Sequence, residues 1–189
     1  MSSLPRSYLA PEEYLAIERK AEYKSEYFRG EMLAVAGAGL NHNQIASNAL
    51  ILLGQQLRLK GFRTVGWDMR VHVRATGLYS YPDVVVFCGA PQLQDEHLDT
   101  LLNPTLIGEV LSPTTEIYDR TRKWERYQSI ESLREYLLIS SDRRHADLFT
   151  LQPSGRWLLS SASLLEDSLE IPSLGCSLPL SELYDQVDL

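Results

Sequence analysis

Tyr81-Pro82-Asp83-Val84-Val85-Val86-Phe87 and Leu106-Ile107-Gly108-Glu109-Val110-Leu111 are the stretches that decide how this chain folds. Both are short, rich in β-branched residues and bounded by Pro, Gly or Asn. That pattern predicts interior strands covered on both faces. Each run also carries one acid, Asp83 and Glu109. Because strand side chains alternate, Glu109 shares a face with Ile107 and Leu111. A carboxylate on such a face is costly unless it is hydrogen-bonded, paired or bound to a metal. Two of them point to a site.

Working outward, residues from Pro11 to Ala21 read as a first helix, with Pro and two acids suited to its N-terminal turn. Tyr27 to Ala36 is strand material broken near Gly30. Asn41 is a candidate N-cap for a helix running to about Lys60, with Ile45, Ala49, Leu53 and Leu57 on its buried face. Gly61 stops it. Arg63 to Arg74 predicts one or two strands, with Arg70, His72 and Arg74 as a polar stripe on the solvent side. Ala90 to Thr105 is an acidic loop in which Asp95, Glu96, His97 and Asp99 are expected to be solvated. After Ser112-Pro113-Thr114-Thr115 a helix is expected to about Ile130, followed by strands at Glu135–Ser140, His145–Leu151 and Arg156–Ser161. The assembly expected is one mixed α/β domain over residues 1–189.

Charge and composition narrow the function. The net charge of −7 argues against a protein held to nucleic acid by bulk electrostatics. Beyond Arg156 there is no Lys or Arg, whereas Met32 to Pro82 holds one acid, Asp68, against five cations. A local basic surface therefore fits an acidic whole. Cys88 and Cys176 match no disulfide framework or zinc spacing and are expected as reduced thiols. No apolar run is long enough to cross a bilayer and the start lacks a secretory h-region, so a cytoplasmic protein with no membrane partner is expected.

Phosphodiester hydrolysis needs a divalent cation to offset phosphate charge and activate water. Mg²⁺ takes one or two protein carboxylates, and Asp83 and Glu109 suit it, with the Val110 carbonyl as a third ligand. A cation beside them would orient the water and stabilise developing charge, and Lys123 is the candidate.

These residues resemble a known pattern. Pro82-Asp83, a gap of 26 positions and then Glu109 is similar to the PD-(D/E)xK nuclease superfamily. Longer stretches resemble its Uma-type restriction endonuclease family: Glu26-x-x-x-Gly30-Glu31, His42-x-x-Ile45, Pro82 to Val86, Glu109 to Thr115 with Tyr118-Asp119 and Lys123, and Leu133 to Leu138. The resemblance covers roughly residues 10–150 and leaves 151–189 as extra strands and an acidic tail. It implies a restriction-endonuclease-like αβββαβ core, a mixed central sheet flanked by helices, and Mg²⁺- or Mn²⁺-dependent cleavage of nucleic acid, DNA in preference to RNA. The usual lysine position, two after the second acid, is Leu111 here. Some branches take the lysine from the following helix, where Lys123 lies.

From the resemblance alone come Glu26, as a further ligand or orienting acid, and His42, as a phosphate contact. It also casts Arg120, Arg122 and Arg126 as phosphate contacts. Read by themselves, Lys123 is half of an i,i+4 ion pair with Asp119, the arginines a solvated face, Asp83 a turn residue capping amides, and Glu109 a partner for an Arg. Two rivals stand beside the nuclease: a catalytically silent nucleic-acid-binding or assembly protein, favoured by Leu111, and a carboxylate-pair hydrolase such as a glycosidase, with Tyr79, Tyr81 and Phe87 lining a sugar cleft. A homodimer is compatible with the domain's small size. Asp83→Ala and Lys123→Ala are each expected to abolish cleavage with the fold intact.

Overall fold

The computed structural model describes residues 8–189. Helix α1 (Pro11–Glu18) starts at a proline, and Glu13 reaches back to accept the Ala10 N–H at 2.9 Å. Strands β1 (Ser25–Phe28) and β2 (Glu31–Ala34) form a hairpin whose two turn residues, Arg29 and Gly30, have φ of 46° and 91°. Two positive φ values in a two-residue loop match the twist of the strands they join. Helix α2 (Leu40–Leu57) follows, then β3 (Phe62–Gly66), β4 (Arg70–Val73), β5 (Leu78–Ser80), β6 (Val84–Cys88), β7 (Thr100–Leu101) and β8 (Leu106–Leu111). A helical connection, α3 (Glu116–Tyr118), a π turn over Asp119–Lys123 and α4 (Trp124–Tyr127), leads to β9 (Glu135–Ser140). Strands β10 (Ala146–Leu151), β11 (Trp157–Ala162), β12 (Ser168–Ile171), β13 (Cys176–Pro179) and helix α5 (Leu180–Leu183) complete the chain.

The main sheet has strand order β11-β10-β9-β8-β6-β3. Every pair in it is antiparallel except β8 with β9, which the helical connection joins in parallel. With β4 and β5 set aside in a second sheet, the order α2-β3-β6-β8-helix-β9 is an αβββαβ core in a mixed sheet. The second sheet, β2-β1-β5-β4-β7, packs beside it.

Alternation along β6 and β8 explains why two layers cover the main sheet. Val84, Val86, Leu106 and Val110 pack with Ile45, Ala49, Leu53 and Leu57 of α2. Val85, Phe87, Ile107 and Leu111 pack on the opposite face with Val71, Val73, Leu78 and Tyr127. The extra C-terminal strands belong to the first of these cores, since Leu169, Ile171, Leu178 and Leu183 pack with α2.

Several expectations are corrected. Helix α2 begins after Gly39 and ends at Leu57. Asn41 is not its cap, because the side-chain amide donates to the Asp188 carbonyl at 2.7 Å. The helix expected up to Ile130 is interrupted by the π turn over Asp119–Lys123, in which Asp119 and Lys123 are both buried. Arg70 is buried and donates to Asp99 at 3.0 Å. Asp95 and Asp99 are not simply solvated either: both hold the Arg19 guanidinium, at 2.7 and 2.8 Å. Cations from α1 and β4 thus pin the acidic loop against the second sheet.

Candidate active site

Sheet pairing brings the two acids of the opening stretches together. Val84 pairs with Gly108 across β6 and β8, and one further step sets Asp83 opposite Glu109. Gly108 permits that closeness: a Cβ there would come within 3.0 Å of the Val84 Cβ. Asp83 Oδ2 accepts the Val110 N–H at 2.7 Å and lies 3.3 Å from His42 Nε2. The amide-capping role and the site role of Asp83 therefore coincide. His42, on the first turn of α2, also lies against the Val110 carbonyl. Burial disfavours its imidazolium, but the hydrogen bond and charge of Asp83 outweigh that and raise its pKa.

Glu109 is buried and has no arginine partner. Its Oε1 accepts from Tyr127 Oη at 2.9 Å and from Lys123 Nζ at 3.2 Å. Lys123 Nζ is also 2.9 Å from Glu26 Oε1 and 3.3 Å from Asp119 Oδ1. The Asp119 pair is the i,i+4 contact legible in the sequence, but it lies in the interior with two further carboxylates around the same ammonium. Burial acts against the charged lysine, yet Glu109, Tyr127, Glu26 and Asp119 together hold its pKa well above the ordinary value. Burial likewise pushes the Glu109 carboxyl up, and the other acids add to that push against Lys123. Desolvation raises Asp119 as well.

Four carboxylates (Glu26, Asp83, Glu109 and Asp119) thus converge on one lysine and one histidine. The negative charge exceeds what these two cations neutralise, and Asp119 Oδ1 is buried without a hydrogen bond. Among the described residues no three His, Cys, Asp or Glu side chains are arranged to hold a metal by themselves. The donors that fit a hard divalent cation are Asp83, Glu109 and the Val110 carbonyl, all oxygen, with water and substrate left to complete the shell.

Comparison with known proteins shows the family and the fold. The family described as "Putative restriction endonuclease" (Uma2) matches residues 11–181. The chain belongs to this family. Two uncharacterized proteins of Synechocystis sp. are each 34% identical to it. The first, slr1290, aligns over 96% of this chain and 94% of its own length. The second, sll1609, aligns over 86% and 91%. Among solved structures, a "putative nuclease belonging to DUF820" from Anabaena variabilis superposes with a TM-score of 0.76, covering 94% of this chain and 98% of that one at 17% identity. The two chains share a fold, one of nuclease type.

Within this member of the family, the three arginines fall in different places. Arg120 lies away from the carboxylates, engaged by Glu116 at 2.8 Å and Asp147 at 2.7 Å. Arg122 is exposed. Arg126 stacks its guanidinium 3.5 Å over the Phe28 ring and donates to Tyr118 Oη at 3.0 Å. Tyr79 and Phe87 are buried and Tyr81 donates to Glu18, so they line no sugar cleft. The residue that sequence reasoning missed is Tyr127, which is buried between Glu109 and Ser80 Oγ, the latter at 2.8 Å. Its signal was available: Asp119, Lys123 and Tyr127 repeat at four-residue spacing, which places them on one helix face.

Proposed function

We propose that this chain hydrolyses phosphodiester bonds of nucleic acid, DNA in the first instance, with Mg²⁺ or Mn²⁺ as cofactor. The observation that carries this reading is the buried Lys123 ammonium held against Glu109, beside an Asp83 whose carboxylate is fixed by the Val110 amide. Asp83, Glu109 and the Val110 carbonyl would hold the divalent cation, which would offset phosphate charge and lower the pKa of bound water. Lys123, kept charged by its carboxylates, orients the water and balances charge developing at phosphorus. Tyr127 holds Glu109 in one orientation, as groups behind a ligand commonly do. His42, on the other side of Asp83, offers an N–H to the phosphate. Glu26 positions Lys123 from β1.

Leu111 counted towards a silent binding protein. Lys123 removes that ground, because its ammonium reaches Glu109 from the helix. Calorimetric titration of Mn²⁺ and then Mg²⁺ into wild type and Asp83→Ala, followed by a cleavage screen with both metals, tests the reading. Binding and cleavage by wild type, with both lost in Asp83→Ala, are expected. Cleavage that survives Asp83→Ala overturns the site. A salt-dependent gel shift with no cleavage under either metal selects the binding protein.

A further inference from the structure

We infer that the proposed site takes a strand with unpaired bases and holds the base next to the scissile phosphate on the indole of Trp67. This rests on the phosphodiesterase reading above and names its substrate more closely. Antiparallel pairing of β3 with β6 ends at Gly66 opposite Val84, and the next step sets Trp67 beside Asp83. A Cβ at Gly66 would lie 3.2 Å from the Asp83 carbonyl, so the two backbones are in close contact. The Trp67 backbone thus opens the turn that leaves the sheet one position beyond the paired strands, next to the backbone of Asp83.

Of the three tryptophans in the chain, Trp124 meets Trp157 edge to face and Phe149 at a tilt, and both tryptophans pack against the core. Trp67 is 41% exposed. It is nevertheless held in place: its carbonyl accepts from Lys24 Nζ at 2.8 Å, and Lys24 also pairs with Asp68. The same ammonium sits 5.5 Å over the Tyr81 ring, two residues before Asp83. An exposed indole on an anchored turn, beside a lysine and the candidate carboxylates, is the combination that binds single strands.

The charge distribution favours the same substrate. The net charge is −7, and Arg19, Arg70, Arg120, Lys24 and Lys123 are all engaged with acids of the protein itself. Lys24 beside Trp67 and Lys123 at the carboxylates are thus already paired within the protein, and stacking supplies affinity that does not depend on charge. Duplex ends and distorted duplexes with an accessible base are then substrates, and intact duplex is disfavoured.

The test is fluorescence titration of the metal-free protein with oligothymidylate and with a duplex of equal length, using wild type, Trp67→Phe and Trp67→Ala, each checked for native circular dichroism. Wild type should bind the single strand more tightly than duplex, with quenching of emission that is lost in Trp67→Phe. Affinity, followed by anisotropy of a labelled strand, should fall about tenfold in Trp67→Ala and be largely kept in Trp67→Phe. Equal single-strand affinity for wild type and Trp67→Ala, or tighter binding of duplex by wild type, overturns the inference. If Trp67→Ala fails to fold, wild-type quenching against its absence in Trp67→Phe still decides. Because the assay needs neither metal nor cleavage, stacking without hydrolysis would fault only the catalytic reading. Cleavage of intact duplex unaffected in Trp67→Ala would fault only this one.

Discussion

At Lys123 a single ammonium meets three buried carboxylates, and this changes what its removal would do. Deletion leaves Glu26, Glu109 and Asp119 uncompensated in the interior. Breaking a buried ion pair in this way costs about 3–5 kcal/mol. Lys123→Ala is therefore not the silent-fold variant that the sequence alone leads one to expect, and a loss of cleavage in it would confuse stability with chemistry. Its pH dependence separates the two. Burial raises the Glu109 pKa above its unfolded value, and removing the ammonium raises it further. A carboxyl with a raised folded pKa contributes stability that is fully present below its unfolded pKa and is lost as pH rises through the folded one. Denaturant unfolding of Lys123→Ala should thus show a deficit against wild type that grows as pH rises above the ordinary carboxylate range and shrinks as pH falls back into it. A deficit independent of pH would mean that the lysine matters for packing alone. Asp83 and Glu109 were legible because acids in apolar runs are conspicuous, whereas Lys123 stood out through the family resemblance, since by itself it read as an i,i+4 ion pair. Tyr127 was overlooked although it shares the helix face of Asp119 and Lys123, because a buried tyrosine reads as ordinary core.

Among the elements, β8 carries most of the site, and it does so by lying close to β6. Gly108 is the position at which that closeness is set, since any Cβ would press on Val84. Gly108→Ala should cost about 1–3 kcal/mol through overpacking of the two strands. It should also weaken Mn²⁺ binding, because it moves the Val110 amide away from Asp83. Chemical denaturation together with calorimetry would check both effects, and undiminished metal binding would show that the pairing tolerates the shift. Period-two alternation made β6 and β8 legible. The split of residues 62–73 between two sheets was not, because local pattern does not record which partner a strand finds. The π turn was hidden for the same reason: Lys123, at its end, takes its partners from β1 and β8.

For the whole molecule, the C-terminal segment is part of the core on which α2 and the main sheet depend. Leu169, Ile171, Leu174, Leu178, Leu180 and Leu183 are all buried. Tyr184 Oη donates to the Ser140 carbonyl at 2.9 Å, tying the tail to the end of β9. At about 1.5–3 kcal/mol for each aliphatic side chain, losing six would match or exceed the total stability of a typical domain, about 5–15 kcal/mol. A chain ending at Ala162 should therefore show no cooperative thermal transition by circular dichroism. A sharp transition close to that of the full chain would mean that the first 162 residues fold by themselves. The boundary near residue 150 drawn from the resemblance marks where the motif residues end, and the packed core continues past it.

The sequence by itself determined that Glu109 would be buried on an interior strand and that Asp83 would stand at the entry to its neighbour, as alternating apolar runs require wherever both faces are covered. It also determined that α2 would present one apolar stripe. Only the tertiary structure decided which cations and hydroxyls those carboxylates meet. Lys123 is 14 residues from Glu109, and Glu26 and Trp67 lie farther away still along the chain. Propensity and periodicity act over a few residues, whereas a buried charge is compensated by whatever the fold brings within about 3 Å of it.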